Sequence, residues 1–486
     1  MKKFEKLGLS EDTLKTIQSK GFEKPTPVQE KTIPILLEGK YDVVAQSQTG
    51  TGKTICFALP IIESIQENSN HVQAIILAPT RELAVQVAKE IESLKGNKHI
   101  KILPVYGGSS IGMQIKELRR GVDIIVGTPG RVIDLLERKE INITKVSFAV
   151  LDEADEMLNM GFIDDIRTIL SKTAVDKKML LFSATMPKEI LRIAKDFMRE
   201  YKLVEIENKD LTLDAIEQIY YQINSDDRYE GLRRILAINN DFYGIIFCRT
   251  KAEVDELSEK LNQDEYKAAS LHGDITQIQR ERILEKFKQR KITALIATDV
   301  AARGINVNDL THVINYSLPQ TPEDYVHRIG RTGRAGKKGT AITFLIPSEK
   351  KRFGNFQKIS NHKIQKREIP SVSDIVETRK TTILSEIDDF VKNHKSPEFD
   401  EFSAEILKDL KPERAVSSLV KFIFKKEIKQ SDFKEISKFN ENERSSDYTG
   451  RRYPSRQRKR SKGSFKRRDS KPSFGRARPR KAGRKR

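Results

Sequence analysis

The feature that most constrains the fold is a series of short, unbroken apolar runs, each separated from the next by a helix-length mixture of polar and apolar residues. AIILAP (74–79), VDIIVGTPG (122–130), VSFAVLDEAD (146–155) and MLLFSAT (179–185) form a first set. After a charged stretch near Glu205 to Asp214 a second set begins, with YGIIFCRT (243–250), YKAASLHGD (266–274), ITALIATD (292–299), THVINYSLP (311–319) and TAITFLIP (340–347). Strands that are apolar on both faces belong in a parallel sheet covered by helices on both sides; a sheet with one wet face would alternate instead. The pattern predicts two α/β domains in tandem, over residues 1–206 and 207–349. Beyond about 350 the strand pattern stops. Ile383, Leu384, Ile387, Phe390 and Val391 share one helical face, as do Val416, Leu419, Val420 and Ile423, so residues 350–432 read as a helical extension.

Charge marks a further boundary. The chain of 486 residues carries a net +20, and Arg451–Arg486 hold 18 Lys and Arg against the single Asp469, leaving the rest near balance. Residues 433–486 therefore read as a basic tail with too little apolar content to fold alone. Cys56 and Cys248 lie far apart and form neither a disulfide framework nor a zinc spacing, which fits a reducing compartment. The N-terminus has no apolar run of signal-peptide length and no segment approaches the roughly 18 apolar residues of a membrane span. A soluble, cytoplasmic protein without membrane contact is the expectation.

Two motifs carry chemistry. In VVAQSQTGTGKTICFALP, Gly50, Gly52, Lys53 and Thr54 stand between an apolar run and a helix. Glycines let a backbone fold around a phosphate, the helix start adds partial positive charge, a lysine reaches the terminal phosphates and a threonine hydroxyl suits magnesium. The usual pattern, G-x-x-x-x-G-K and then Ser or Thr, opens with glycine; here Ser47 takes that place. About a hundred residues on, an apolar strand ends in Asp152, Glu153, Ala154, Asp155 and Glu156. Each motif alone also suits a turn or a solvated helix start. Together they place a carboxylate where a magnesium nucleotide needs one.

With those residues in hand the sequence resembles a DEAD-box RNA helicase of superfamily 2. The resemblance spans Phe4 to Pro347 and rests on motifs in the family's order: Phe4 and GFEKPTPVQ (21–29), SQTGTGKT (47–54), PTRELA (79–84), Gly107 and Gly108, TPGR (128–131), DEAD (152–155), SAT (183–185), IIFCRT (245–250), LHGDITQIQR (271–280), ATDVAARGIN (297–306) and HRIGRTGR (327–334). It implies two RecA-like domains, ATP and magnesium as ligands, and RNA as the partner.

Residue roles follow from chemistry and resemblance together. Gln29 offers a donor and an acceptor on one planar amide, the shape that pairs with adenine, and Phe22 offers a ring to stack on the base. Ser47, Gln48, Thr49, Gly50, Thr51, Gly52, Lys53 and Thr54 would wrap the phosphates. Thr54 and Asp152 would hold magnesium, and Glu153 is the candidate to orient and deprotonate the attacking water. The resemblance implies that Asp155 ties this site to Ser183, Thr185 and His327. The second domain has no phosphate loop; Arg331 and Arg334 resemble the arginine pair that reaches across a cleft to the terminal phosphate. RNA contacts, by resemblance, fall on Pro79, Thr80, Arg81, Gly108, Thr128 and Arg131 in the first domain and on Arg249, Gly273 and Thr298 in the second. Such residues suit phosphates and 2′-hydroxyls and read base edges poorly, so binding without sequence preference is implied.

One position departs from the family. Asn306 stands where an aspartate commonly accepts hydrogen bonds from the ATP ribose, which leaves one acceptor oxygen and an NH₂ donor. The function implied is an RNA-stimulated ATPase that locally separates short duplexes and remodels ribonucleoproteins. The alternative is an ATP-dependent RNA clamp or scaffold; a DNA translocase fits less well. The helical extension resembles the dimerisation segment of some bacterial members, or else a helix pair packed on the second domain. The tail reads as an RNA tether, or as a solubilising or targeting segment.

Overall fold

The computed structural model describes residues 2–47, 52–205, 215–302, 304, 305, 307, 309–333, 337–359, 364–393, 399–424 and 433–439. The first sheet contains β1 (Asp42–Gln46), β2 (Ala74–Leu77), β3 (Ile102–Val105), β4 (Ile124–Gly127), β5 (Phe148–Leu151), β6 (Lys178–Ser183) and β7 (Tyr201–Glu205), in the spatial order β3-β4-β2-β5-β6-β1-β7. The second contains β8 (Ile216–Gln222), β9 (Gly244–Phe247), β10 (Ala268–Leu271), β11 (Ala294–Ala297), β12 (His312–Asn315), β13 (Gly339–Leu345) and β14 (Gln365–Arg367), in the order β10-β11-β9-β12-β13-β8-β14. Every pairing is parallel. This is the tandem, doubly covered α/β arrangement that the apolar runs imply.

Burial explains which strands the sequence announces. β2, β4, β5, β9, β11 and β12 are buried at every position, and each falls inside one of the apolar runs. The edges read differently. β7 buries only Val204, and β14 is exposed throughout, although it lies beyond 350 where the sequence suggests no further strand. An edge strand needs no apolar face on both sides, so it leaves no apolar run.

Each sheet is sandwiched between apolar clusters. Alternate residues of one strand serve opposite sides: Val43 and Ala45 join Phe4, Phe57 and Ile91 on one face of the first sheet, while Val44 joins Ile125, Met157 and Ile190 on the other. In the second sheet Ile246 packs with Leu232 and Val254, and Ile245 with Phe287 and Leu295.

After β14 the described residues form three helices, Val372–Asn393, Asp400–Asp409 and Pro412–Phe424. Ile375, Val376 and Ile383 are buried, and the first of these helices packs against the helix Arg228–Ile238 of the second lobe. Leu384, Phe390, Val391, Val416 and Phe422 stay exposed. Residues 433–439, which by composition fall in the tail, lie against the second lobe and hydrogen bond to it. Contacts divide the chain at Arg444, and Arg444–Arg486 lie outside the described residues. Among the described residues no helix is long and apolar enough to cross a membrane.

Candidate functional site

Parallel sheets present their strand carboxyl ends on one side, and loops there carry ligand-binding residues. The strand order divides that side of the first sheet in two. On one half, β5, β6 and β1 are neighbours, with Gln46 level with Ser183. Their ends deliver Ser47, Asp152 and Ser183 to one place, and the helix Lys53–Ser64 starts there. On the other half, β3, β4 and β2 deliver Gly108, Thr128 and Pro79 to Arg81. The second sheet repeats the division. β10, β11 and β9 end at Gly273, Thr298 and Arg249, while β12 is followed by the helix Pro322–Ile329 that carries His327.

The nucleotide half is built around buried charge. Lys53 and Asp152 are buried, and among the described residues neither Lys53 Nζ nor Asp152 Oδ1 has a hydrogen-bond partner. Burial pushes the Asp152 carboxyl up to about 7 against the pull of Lys53, with Glu153 adding to the rise. A buried cation and carboxylate with open valences fit a phosphate and a divalent ion, which would also restore the carboxylate to its charged form. Magnesium is usually held by one or two carboxylates plus substrate phosphates, so this donor set fits it. Glu90, which no motif marks, hydrogen bonds to Thr54, and burial raises its carboxyl pKa.

Two backbone positions fix this half. Gly52 has φ +80°, and a Cβ there would stand 2.5 Å from Gln29 Nε2. Gln29 is buried, donates from Nε2 to Gly52 O at 3.1 Å and accepts from Thr26 N through Oε1 at 2.9 Å. Glutamine is thus both the cap of its own helix and a strut for the loop. Glu153 has φ 50°, rare for a residue with a side chain, at the start of the helix Ala154–Asn159. Phe22 lines a cleft of about 330 Å³ with Lys20, Glu90, Ser93 and Leu94. Gln48, Thr49, Gly50, Thr51, Asn306 and Arg334 lie outside the described residues.

Asp155 is a crossing point of hydrogen bonds. Its Oδ2 accepts from Ala184 N at 3.1 Å, Thr185 N at 2.8 Å and Thr185 Oγ1 at 3.0 Å, while Ser183 Oγ donates to Thr185 O at 2.6 Å. The link to His327 differs from the expectation. His327 Nδ1 stands 2.5 Å from Glu156 Oε1, so the neighbouring carboxylate makes the direct contact. Burial lowers the imidazole pKa, but the close Glu156 carboxylate and the charges of Asp155 and Glu153 outweigh it and the net shift is upward. Arg331 reaches Ile305 O at 3.3 Å and lines a small pocket with Glu156, Asp299 and His327. Arg328 of the same motif is structural: it grips Asp299 through two nitrogens, donates to Asn315 and Ser317 and stacks over Phe247.

On the other half the side chains are partly committed to one another. Thr80 caps the helix Arg81–Leu94 by accepting from Leu83 N at 3.3 Å, and Gly304 of the second lobe, φ +70°, presses so close that a Cβ would meet Thr80 Oγ1 at 2.1 Å. Arg81 pairs with Glu281 of the second lobe and lies 4.3 Å over the Tyr106 ring. Arg280 Nε meets Glu82 Oε1 at 2.6 Å, a reciprocal bridge that the sequence reading did not single out. Arg131 is braced by Gln114 Oε1 at 2.9 Å and Ser109 O at 3.3 Å. Gly108 and Gly273 have open space where a Cβ would be. Arg249 N donates to Glu253 Oε2 at 2.8 Å, and its side chain stays exposed.

Comparison with known proteins agrees with this geometry. Residues 26–193 match the DEAD/DEAH box helicase family and residues 227–336 the helicase conserved C-terminal domain. The chain is 44% identical over 425 residues, 87% of its length and 82% of the relative's, to the ATP-dependent RNA helicase CshA of Listeria monocytogenes. It is 44% identical over 422 residues, 87% and 85%, to the DEAD-box ATP-dependent RNA helicase CshA of Bacillus subtilis. Among solved structures, S. cerevisiae Dbp5 bound to RNA and ADP BeF3 superposes with a TM-score of 0.71 at 32% identity, over 78% of this chain and 99% of that one. Mss116 bound to ssRNA and UDP-BeF gives 0.69 at 28% identity, over 80% and 86%.

Proposed function

The chain belongs to the DEAD-box family of ATP-dependent RNA helicases, and from that premise we propose how its two lobes divide the work. It hydrolyses ATP in an RNA-dependent way and separates short RNA duplexes locally. The observation that carries the residue assignments is the pair of buried atoms, Lys53 Nζ and Asp152 Oδ1, that have no hydrogen-bond partner among the described residues. In this reading Lys53 holds the terminal phosphates, and Thr54 and Asp152 hold magnesium, which supplies charge neutralisation when bound. Glu153 orients the attacking water and takes its proton. Gln29 and Phe22 select adenine. Arg331 and Arg334 add positive charge to the transferring phosphoryl group when the lobes close.

RNA engages the other half through Pro79, Thr80, Arg81, Gly108, Thr128, Arg131, Arg249, Gly273 and Thr298. Arg81 must then exchange Glu281 for a phosphate. Because RNA and ATP both need the two lobes together, each raises affinity for the other. The proposal extends to ribonucleoprotein remodelling and to a homodimer, which the exposed Leu384, Phe390, Val416 and Phe422 of the helical extension support. A reducing, cytoplasmic setting is supported by the buried free thiols Cys56 and Cys248. The decisive experiment is Lys53→Ala with Glu153→Gln. The first should abolish hydrolysis, and the second should keep ATP and RNA binding while blocking turnover. Wild-type turnover by Glu153→Gln would remove Glu153 from the role of base.

A further inference from the structure

The segment Phe433-Lys-Glu-Ile-Ser-Lys-Phe439 is half-buried at Phe433, Ile436 and Phe439 and exposed between them. A three-residue period with no regular secondary structure is that of an extended strap laid along a surface. The surface beneath it is a built one. Glu230, Arg234 and Asn224 are buried polar side chains at the end of β8 and on the helix Arg228–Ile238. Glu230 Oε1 accepts from Lys434 N at 3.1 Å, and Arg234 donates to Lys434 O, so the backbone of one residue is held at both its N–H and its C=O. Asp227 Oδ2 accepts from Ser437 N at 3.0 Å and from Ser437 Oγ at 2.6 Å, and Asn224 Nδ2 donates to Lys438 O at 3.0 Å. The Arg233 guanidinium lies 5.2 Å over the Phe433 ring. Glu230 itself is locked by Arg233 at 3.1 Å and Arg234 at 3.2 Å.

We propose that Asn224, Asp227, Glu230, Arg233 and Arg234 form a peptide-binding site for an extended aromatic-x-x-x-Ser segment. Its occupant is residues 433–439 of the same chain, which clip the root of the basic tail to the second lobe. Backbone groups of Lys434 and Ser437 are read by charged side chains, while Phe433 and the Ser437 hydroxyl supply the sequence preference. The position has a functional consequence. Asp227 precedes Arg228, whose Nη1 meets Glu253 Oε1 at 3.2 Å, and Glu253 also holds the backbone of Arg249. The clip itself therefore lies beside the side-chain network that holds Arg249, an RNA contact in the reading above. This part rests on the RNA-helicase reading above and on the tail binding RNA; the site itself does not.

The test uses the full-length chain and a Phe433→Ala, Ser437→Ala double variant, whose changes lie outside both sheets. Hydrogen exchange is read at the peptide spanning 433–439. The wild type should exchange at least about tenfold more slowly there than a free peptide, independently of protein concentration, and the variant should lose that protection while both sheets keep theirs. Free-peptide exchange in the wild type overturns the site, and protection that grows with protein concentration overturns the same-chain occupant. In an RNA-stimulated ATPase titration the variant should need about twofold more RNA for half-saturation, the order expected when a tether lengthens by roughly half. Its saturated rate and salt dependence should not change. An unmoved half-saturation overturns the guiding role if deletion of 451–486 does move it. If neither moves it, the RNA-binding tail is what fails, and the exchange result alone decides the clip.

Discussion

His327 of the second lobe stands 2.5 Å from Glu156 of the first, so the lobes meet through an imidazole and the carboxylate just beyond the D-E-A-D residues. That contact is a protonation-dependent joint. Because pairing raises the His327 pKa, its contribution is complete below the unpaired value and is lost as pH rises through the raised one. RNA-stimulated ATPase activity should therefore fall on the alkaline side with a His327 component. Glu156→Gln should lower the stimulated rate and shift that limb to lower pH, while ATP binding by the first lobe changes little. A pH profile of wild type and Glu156→Gln checks this; superimposable alkaline limbs would remove His327 from the joint.

Arg81 and Glu281 predict the opposite kind of effect. Their pair is partly exposed, at 18% and 55%, so its net worth is about 0–1 kcal/mol. In the RNA contact proposed for Arg81 a phosphate has to displace Glu281, which would make the pair a brake on RNA binding. Glu281→Gln should lower the half-saturating RNA concentration by up to about fivefold and leave the RNA-saturated ATPase rate unchanged. Weaker RNA binding in the variant would mean that Glu281 positions Arg81 for RNA.

The loop of the nucleotide half gives a steric prediction. At Gly52 the left-handed backbone costs a residue with a side chain about 1–2 kcal/mol, and the added Cβ would meet Gln29 Nε2 at 2.5 Å. Gly52→Ala should therefore weaken ATP binding at least about tenfold, by displacing Gln29 as well as the loop. Equilibrium titration with a fluorescent ATP analogue reads this. Normal affinity in the variant would show that neither the turn nor the Gln29 strut matters to the nucleotide.

What was legible in the sequence followed burial on both faces. Strands such as β5 and β11 announce themselves because each residue is enclosed, and the residues at their ends inherit positions from the strand order. Edge strands β7 and β14 left no apolar run, so their place in the sheets depended on neighbours. Glu156 reads only as part of an acidic cluster, since nothing local distinguishes the carboxylate that meets His327 from Asp155 beside it. Arg328 and Arg331 look alike in H-R-I-G-R; only tertiary packing buries the first on Asp299. Residues 433–439 read as part of the tail because the cations of 451–486 dominate its composition. A three-residue apolar period over seven residues is too brief to stand out.

The tail gives the last prediction. Its 18 cations between Arg451 and Arg486 are interleaved with Gly, Ser, Pro, Tyr453, Phe465 and Phe474, a composition suited to the proposed RNA tether, which would release counterions and stack weakly on bases. None of the motifs that carry catalysis lies there. Deletion of residues 451–486 should therefore leave the RNA-saturated ATPase rate nearly unchanged while half-saturation requires far more RNA. Affinity should also depend less steeply on salt, each lost phosphate contact removing about 0.7 from the log-log slope for a single strand. The two changes must appear together, because both come from the same phosphate contacts. Lost affinity with an unaltered slope would point to base stacking by the three aromatics as the main contact. Unaltered affinity and slope would direct the tail away from RNA, to a protein partner or a compartment.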